Sequence, residues 1–147
     1  MAAKTKLSDL GSQVCVDDEN EHLIPALGNG TAVPGDLCGI TSADGKVKGT
    51  DEGAVNEFLG ILKESKITGT ETAIVAGVKC SLIVPKSGHR YRIRILDTVD
   101  TQDVGFALDF SGTPYKADAA ASINVAKMVL SLPCYQDDDT IVEVIWL

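Results

Sequence analysis

Glycine recurs through the middle of this chain at positions 28, 30, 35, 39, 45, 49, 53, 60, 69, 77 and 88. A glycine inside a helix costs about 1 kcal/mol relative to alanine. Punctuation this frequent therefore leaves room for short strands and tight turns, and little for long helices. The side chains between the glycines agree. With only 3 Phe, 3 Tyr and 1 Trp, the interior has to be built from Val, Ile, Leu and Ala, and the β-branched members of that set pack well on a pleated surface. The expected fold is mainly β: a small β-barrel or β-sandwich with at most one short helix.

The 147 residues, 44% apolar and 23% charged, suit one folded core rather than a disordered chain. Residues 1–22 carry Asp9, Asp17, Asp18, Glu19 and Glu21 but few large apolar side chains. They are expected to form an extended N-terminal arm that adds little to the core, with at most a short strand at 13–16. Residues 23–147 are then a single β domain, with no fixed-period repeat and no low-complexity linker.

Within that domain Pro34-Gly35-Asp36 predicts a type II turn, and Asp44-Gly45 predicts a hairpin between strands at 37–41 and 46–48. Residues 55–62 read as a strand with Gly60 at a bulge or close contact. Residues 78–85 and 89–96, joined at Lys86-Ser87-Gly88, read as the clearest hairpin in the chain. A strand is expected at 104–110, closed by Ser111-Gly112-Thr113-Pro114. Residues 117–132 fit either a helix, from their alanine-rich start, or a strand, from Ile123, Val125 and Val129. The apolar, β-branched end at 140–147 predicts a central strand that buries Trp146.

The formal charge of -8 and pI near 4.6 repel phosphate backbones, so nucleic acid is not expected as a partner. No apolar run approaches the roughly 20 residues that cross a bilayer, so no membrane association is expected. The opening MAAKTKLSDLGSQV has no apolar signal core, which implies synthesis in the cytoplasm.

The residues that could carry chemistry are scattered. The two histidines, His22 and His89, fall in the acidic arm and in a turn, without a nucleophile and orienting partner. Gly28-Asn29-Gly30 lacks the third glycine and following helix of a phosphate loop and reads as a turn. The runs Asp17-Asp18-Glu19 and Asp137-Asp138-Asp139 lack calcium-loop alternation and read as solvated charge. Cys15, Cys38, Cys80 and Cys134 form no zinc-type pair and read as reduced structural thiols. No enzyme activity, cofactor or metal is expected.

The strongest patterned signal is the strand HRYRIRIL at 89–96. Successive strand side chains point to opposite faces, so Tyr91, Ile93 and Ile95 face the core while Arg90, Arg92 and Arg94 line the other side. Three guanidinium groups in a row need acids to receive them. The acids are either the chain's own carboxylates or those of a partner, for which arginine's forked donors are suited. Arg90, Arg92 and Arg94 are the candidate partner-binding residues.

The stretch from Leu23 to Gly88 resembles capsid decoration, or cement, proteins of tailed phages and related viruses. The matching residues are Gly35-Asp36-Leu37, Gly45-Lys46-Val47, Glu57-Phe58-Leu59-Gly60-Ile61, Ala76-Gly77-Val78 and Pro85-Lys86-Ser87-Gly88. The resemblance implies a small β body on the outer capsid surface of a virion, bound to the major capsid protein, often as a homotrimer, with an arm clamping neighbouring shell subunits. The chain beyond about Val104 extends past the shorter members of that pattern. The other reading compatible with the residues is a nonviral β-barrel protein-binding module or surface-layer component.

Overall fold

The computed structural model describes residues 6–17, 21–51, 57–66, 69–96, 104–132 and 141–147. Ten strands run through them: β1 (Leu23–Leu27), β2 (Leu37–Ile40), β3 (Val47–Gly49), β4 (Gly60–Leu62), β5 (Lys79–Ile83), β6 (Arg90–Arg94), β7 (Ala107–Phe110), β8 (Ala117–Ala119), β9 (Met128–Leu130) and β10 (Ile141–Trp146). They form two antiparallel five-stranded sheets in a sandwich-like, mainly β fold, ordered β1-β5-β4-β2-β3 and β6-β10-β9-β7-β8. The sole helical element among the described residues with its own span is a 3-10 turn at Leu7–Leu10. Each sheet curls until its two edge segments touch at one parallel bridge, Leu27 to Lys46 in the first and Ile95 to Ala117 in the second.

The two sheets have the same strand order, and the match extends to register. The β2–β3 pairs Cys38/Gly49, Gly39/Lys48 and Ile40/Val47 reappear in β7–β8 as Leu108/Ala119, Asp109/Asp118 and Phe110/Ala117. The pairs Leu37/Ile61 and Cys38/Gly60 correspond to Ala107/Val129 and Leu108/Met128. Loop hydrogen bonds repeat as well. Leu62 N donates to Asp36 O at 2.9 Å and Leu130 N to Phe106 O at 2.8 Å; Val84 N donates to His22 O at 2.8 Å and Trp146 N to His89 O at 2.9 Å. The chain is thus two units of one topology, β1–β5 and β6–β10. Sequence reading found no repeat because the connecting segments differ in length between the units and because equivalent positions carry different side chains.

Alternation along the strands gives each unit its interior. In the first unit Ala26, Cys38, Val47, Leu62 and Leu82 share one cluster, while Leu37, Ile61 and Ile83 point the other way. The latter three join Tyr91, Ile93, Leu108, Leu130, Val142 and Val144 of the second unit in the larger cluster. Burying side chains of this size contributes about 1.5–3 kcal/mol each.

Several local expectations hold. Gly35 has a φ of 96° and Asp36 N donates to Val33 O at 3.0 Å, closing the turn at Pro34-Gly35. The Asp44-Gly45 hairpin joins β2 to β3, and β10 is central between β6 and β9. Trp146 is only half-buried, short of the burial expected of it, and stacks on Phe58 with ring centroids 5.4 Å apart. Residues 117–132 resolve as two strands, β8 and β9, on either side of β7.

Other expectations are corrected. The segments 78–85 and 89–96 do not form a hairpin. The turn at Lys86-Ser87-Gly88 is present, with His89 N bonded to Lys86 O at 3.1 Å, but it carries the chain from β5 in the first sheet to β6 in the second. The strand expected at 55–62 is only Gly60–Leu62; residues 52–56 lie outside the described residues. The N-terminal stretch also differs from expectation, because Leu7 and Val14 are fully buried and Cys15 nearly so, within the larger cluster.

Candidate functional site

The arginine row sits on β6 as alternation predicts, with Tyr91, Ile93 and Ile95 fully buried behind it. The N-terminal stretch covers the Arg90 and Arg92 part of the row. Leu7–Leu10 ends at Gly11 in a left-handed conformation, and the chain then runs antiparallel beside β6. Val16 N donates to Arg90 O at 3.0 Å, Arg92 N donates to Val14 O at 2.8 Å, and Cys15 pairs with Tyr91. Residues 14–16 thereby occupy the open edge of the second sheet, which otherwise would present unpaired backbone groups. The expected short strand at 13–16 exists as this single bridge.

Arg90 and Arg92 share Glu143 and otherwise take different partners, while Arg94 takes its own. Arg90 grips Asp17 with a fork, Nε to Oδ2 at 2.8 Å and Nη2 to Oδ1 at 2.5 Å, and reaches Glu143 Oε1 with Nη1 at 3.1 Å. The hydrogen bonds from Arg90 hold the Asp17 carboxyl below its ordinary range. Arg92 donates through Nη1 to Gln13 O at 2.7 Å, with Nε 4.0 Å from Glu143. Arg94 is buried: its Nε donates to Pro34 O at 3.2 Å and lies 3.7 Å from Asp36 Oδ1.

The row is therefore engaged within the chain. Arg94 and Arg92 are covered, and Arg90, the most exposed, is engaged by Asp17 and Glu143. Of the two sources of acid weighed for this row, the chain's own carboxylates are the ones in place. Sequence alone could not choose between them, because the choice depends on where the arm lies. The clue was Leu7 and Val14, two large apolar residues in an otherwise acidic stretch.

The sequence marks Asp36 as part of a turn and not as a site residue. It is buried at the seam between the units, where Oδ2 accepts from Val33 N at 2.8 Å and Oδ1 has no hydrogen-bond partner. Desolvation pushes its pKa up to about 6, against the opposing pull of the Val33 N–H, Arg94 and Lys116. A second seam contact is Tyr115, whose main chain bonds Leu37 and Thr50 and whose hydroxyl accepts from Asn29 Nδ2 at 2.7 Å. The Asn29 side chain also caps Thr31 N and Ala32 N, so Gly28-Asn29-Gly30 is a side-chain-supported turn.

Two concavities flank the middle of β5. One, of about 510 Å³, includes Leu27, Gly45, Lys79 and Cys80; the other, of about 280 Å³, includes Lys63, Glu64, Lys66 and Cys80. Burial pushes the Cys80 thiol pKa up, which disfavours the nucleophilic thiolate, and among the described residues lining the larger concavity there is no histidine or carboxylate to act as a base. Cys15, Cys38 and Cys80 are thiols; Cys134 lies outside the described residues. Among the described residues no three His, Cys, Asp or Glu side chains group as metal ligands, and no helix is long and apolar enough to cross a membrane. The acidic run at 137–139 lies outside the described residues.

No protein-family model matches the chain, and no curated protein matches it.

Proposed function

We propose that this chain is a structural protein that decorates the outer surface of an icosahedral capsid, binding the major capsid protein through its strands and loops and performing no chemistry of its own. The observation that carries the reading is the position of the residues that resemble capsid decoration proteins. Gly35-Asp36-Leu37, Gly45-Lys46-Val47 and Gly60-Ile61 fall at the turns and strands of one unit, and Pro85-Lys86-Ser87-Gly88 falls at the crossing into the next. The similarity thus lies in positions that set the fold. Charged side chains of the arginine row are paired internally, in the Asp17–Arg90–Glu143 and Asp36–Arg94 groups. A rigid body bound in many copies gains avidity without needing a pocket.

The test is sedimentation of the purified protein with particles produced by the genome that encodes it, after the particles have been stripped of this chain. Saturable recovery with the particles supports the reading. Recovery with the cell envelope instead would favour the surface-layer alternative, and recovery with neither would refute both.

A further inference from the structure

β1 and β6 are equivalent edge strands of the two sheets. Leu23 pairs with Ile83 and Arg90 with Ile145, so Leu23, Pro25 and Leu27 stand where the second unit has Arg90, Arg92 and Arg94. Val84 N bonds His22 O and Gly28 N bonds Val78 O, which turns the backbone groups of residues 23, 25 and 27 away from β5. One end of each edge is closed alike: Leu27 N donates to Gly45 O at 3.1 Å and Arg94 N to Gly35 O at 3.2 Å. The rest differs. On β6 the Arg90 N–H donates to Asp17 Oδ2 at 3.0 Å, the Arg90 C=O accepts from Val16 N, and the Arg92 N–H donates to Val14 O. On β1 no described residue bonds the Leu23 N–H, the Leu23 C=O or the Pro25 C=O, and both residues are exposed.

The side chains beside this edge leave room. The concavities of about 510 and 280 Å³ lie along the outer side of β1 and β5, among Leu23, Pro25, Leu27, Lys79 and Ser81. On the second unit the equivalent ground is under the N-terminal stretch: Gln13 O accepts from Arg92 Nη1, and a Cβ on Gly11 would lie 3.4 Å from that nitrogen. Charge favours an anionic occupant. Lys63 is held by Glu21 and Glu64, and Asp44 is engaged by Thr41 and the Lys46 N–H. Lys66 and Lys79, which line the smaller hollow together, are exposed and meet no carboxylate among the described residues. They leave a local surplus of cations in a chain of net charge -8.

Pro25 lacks the donor that Arg92 supplies, so the edge offers one N–H and two C=O groups. Its complement is a short extended segment that brings two N–H groups and one acceptor oxygen. On β6 that oxygen belongs to the Asp17 carboxylate. We infer that the Leu23–Pro25 edge, with the hollow beside it, binds an extended acidic segment of a partner protein as one added strand, in the way residues 14–17 are added to β6 within the chain. A carboxylate of the segment accepts from the Leu23 N–H, and Lys66 and Lys79 attract its charge. The chain's own acidic stretch is already engaged on β6. The partner needs no identity beyond this chemistry, and the test uses no particles, so it can fail separately from the capsid reading.

The probe is a peptide of residues 10–18 with Cys15→Ser, titrated into the isotope-labelled full chain and followed by amide NMR. Shifts should centre on Leu23, Lys79 and Ser81. A control peptide that also carries Asp17→Asn and Asp18→Asn should bind about fivefold more weakly, as should the acidic peptide to Lys66→Glu with Lys79→Glu, whose melting temperature should match the wild type because both side chains are exposed. Leu23→Pro removes an N–H that β5 does not use and should weaken binding about tenfold or more. Absence of shifts, shifts centred on Arg90–Arg92, equal binding of the neutral peptide, or binding indifferent to both variants would each overturn the inference. Self-association in sedimentation velocity that Leu23→Pro abolishes would assign the edge to a second copy and overturn it as well.

Discussion

Gly45 and Tyr115 occupy the same corner of two related hairpins, with φ of 71° and 75°. Left-handed backbone is ordinary for glycine and strained for a tyrosine, so the second unit carries a cost here that the first does not. What offsets it is the seam: Tyr115 bonds Leu37 and Thr50 through its main chain and Asn29 through its hydroxyl. Two nearby substitutions separate backbone strain from seam packing. A Cβ at Gly45 meets nothing within 4 Å, so Gly45→Ala should cost only the left-handed penalty, about 1 kcal/mol. A Cβ at Gly49 would fall 2.6 Å from Pro114 and 2.8 Å from the Tyr115 ring, so Gly49→Ala should cost more, about 1–3 kcal/mol. Urea unfolding of the two variants checks the order, and equal losses would contradict it.

The N-terminal stretch should behave as part of the body. Leu7 is fully buried, and Leu7→Ala is expected to destabilise by about 2–5 kcal/mol. Removal of residues 1–17 should lower the melting temperature further, because it also strips Val14, Cys15 and the edge bonds to Arg90 and Arg92. Circular dichroism melts that leave the truncated chain unchanged would contradict this placement.

How much of this was legible beforehand depends on how local each determinant is. The Pro34-Gly35 turn, the Asp44-Gly45 hairpin and the apolar final strand are set by a few adjacent residues, and reading them from sequence succeeded. The segment 78–96 failed as a hairpin because alternation and a turn specify two strands but not whether they pair with each other. The alternation of the arginine row was legible; its cover was not, since Asp17 and Gln13 lie far from β6 in sequence. The repeat was hidden because Pro25 stands where the second unit has Arg92, and Gly45 where it has Tyr115.

Asp36 should make stability depend on pH. Its carboxyl is raised in the fold from 3.8 to about 6, so the folded state holds a proton that the unfolded chain releases. That contribution is fully present below about pH 3.8 and is lost as pH rises through 6; it is on the order of 2–3 kcal/mol. Asp17 and Asp44, lowered by Arg90 and by Thr41, act in the opposite sense and lose their contribution only in stronger acid. Between pH 4 and 7 the wild-type protein should therefore lose stability relative to Asp36→Asn, measured by urea unfolding at each pH. Parallel curves for the two proteins would rule out this role for Asp36.

Thiol reactivity should follow burial. In the native protein iodoacetamide is expected to modify Cys80, which is half-buried, slowly, and to leave Cys15 and Cys38 untouched, since both are buried. Peptide mass mapping after a timed reaction reads this directly, and early labelling of Cys38 would contradict the placement of β2 in the interior of the first unit.

The claim that this is a binding body for a larger shell is tested most directly by electron cryomicroscopy of particles produced with and without the gene for the chain. The account predicts density on the outer capsid surface that is lost without the gene and that fits two curled five-stranded sheets per chain. Particles identical in both preparations, or density for the chain on the inner surface, would contradict it.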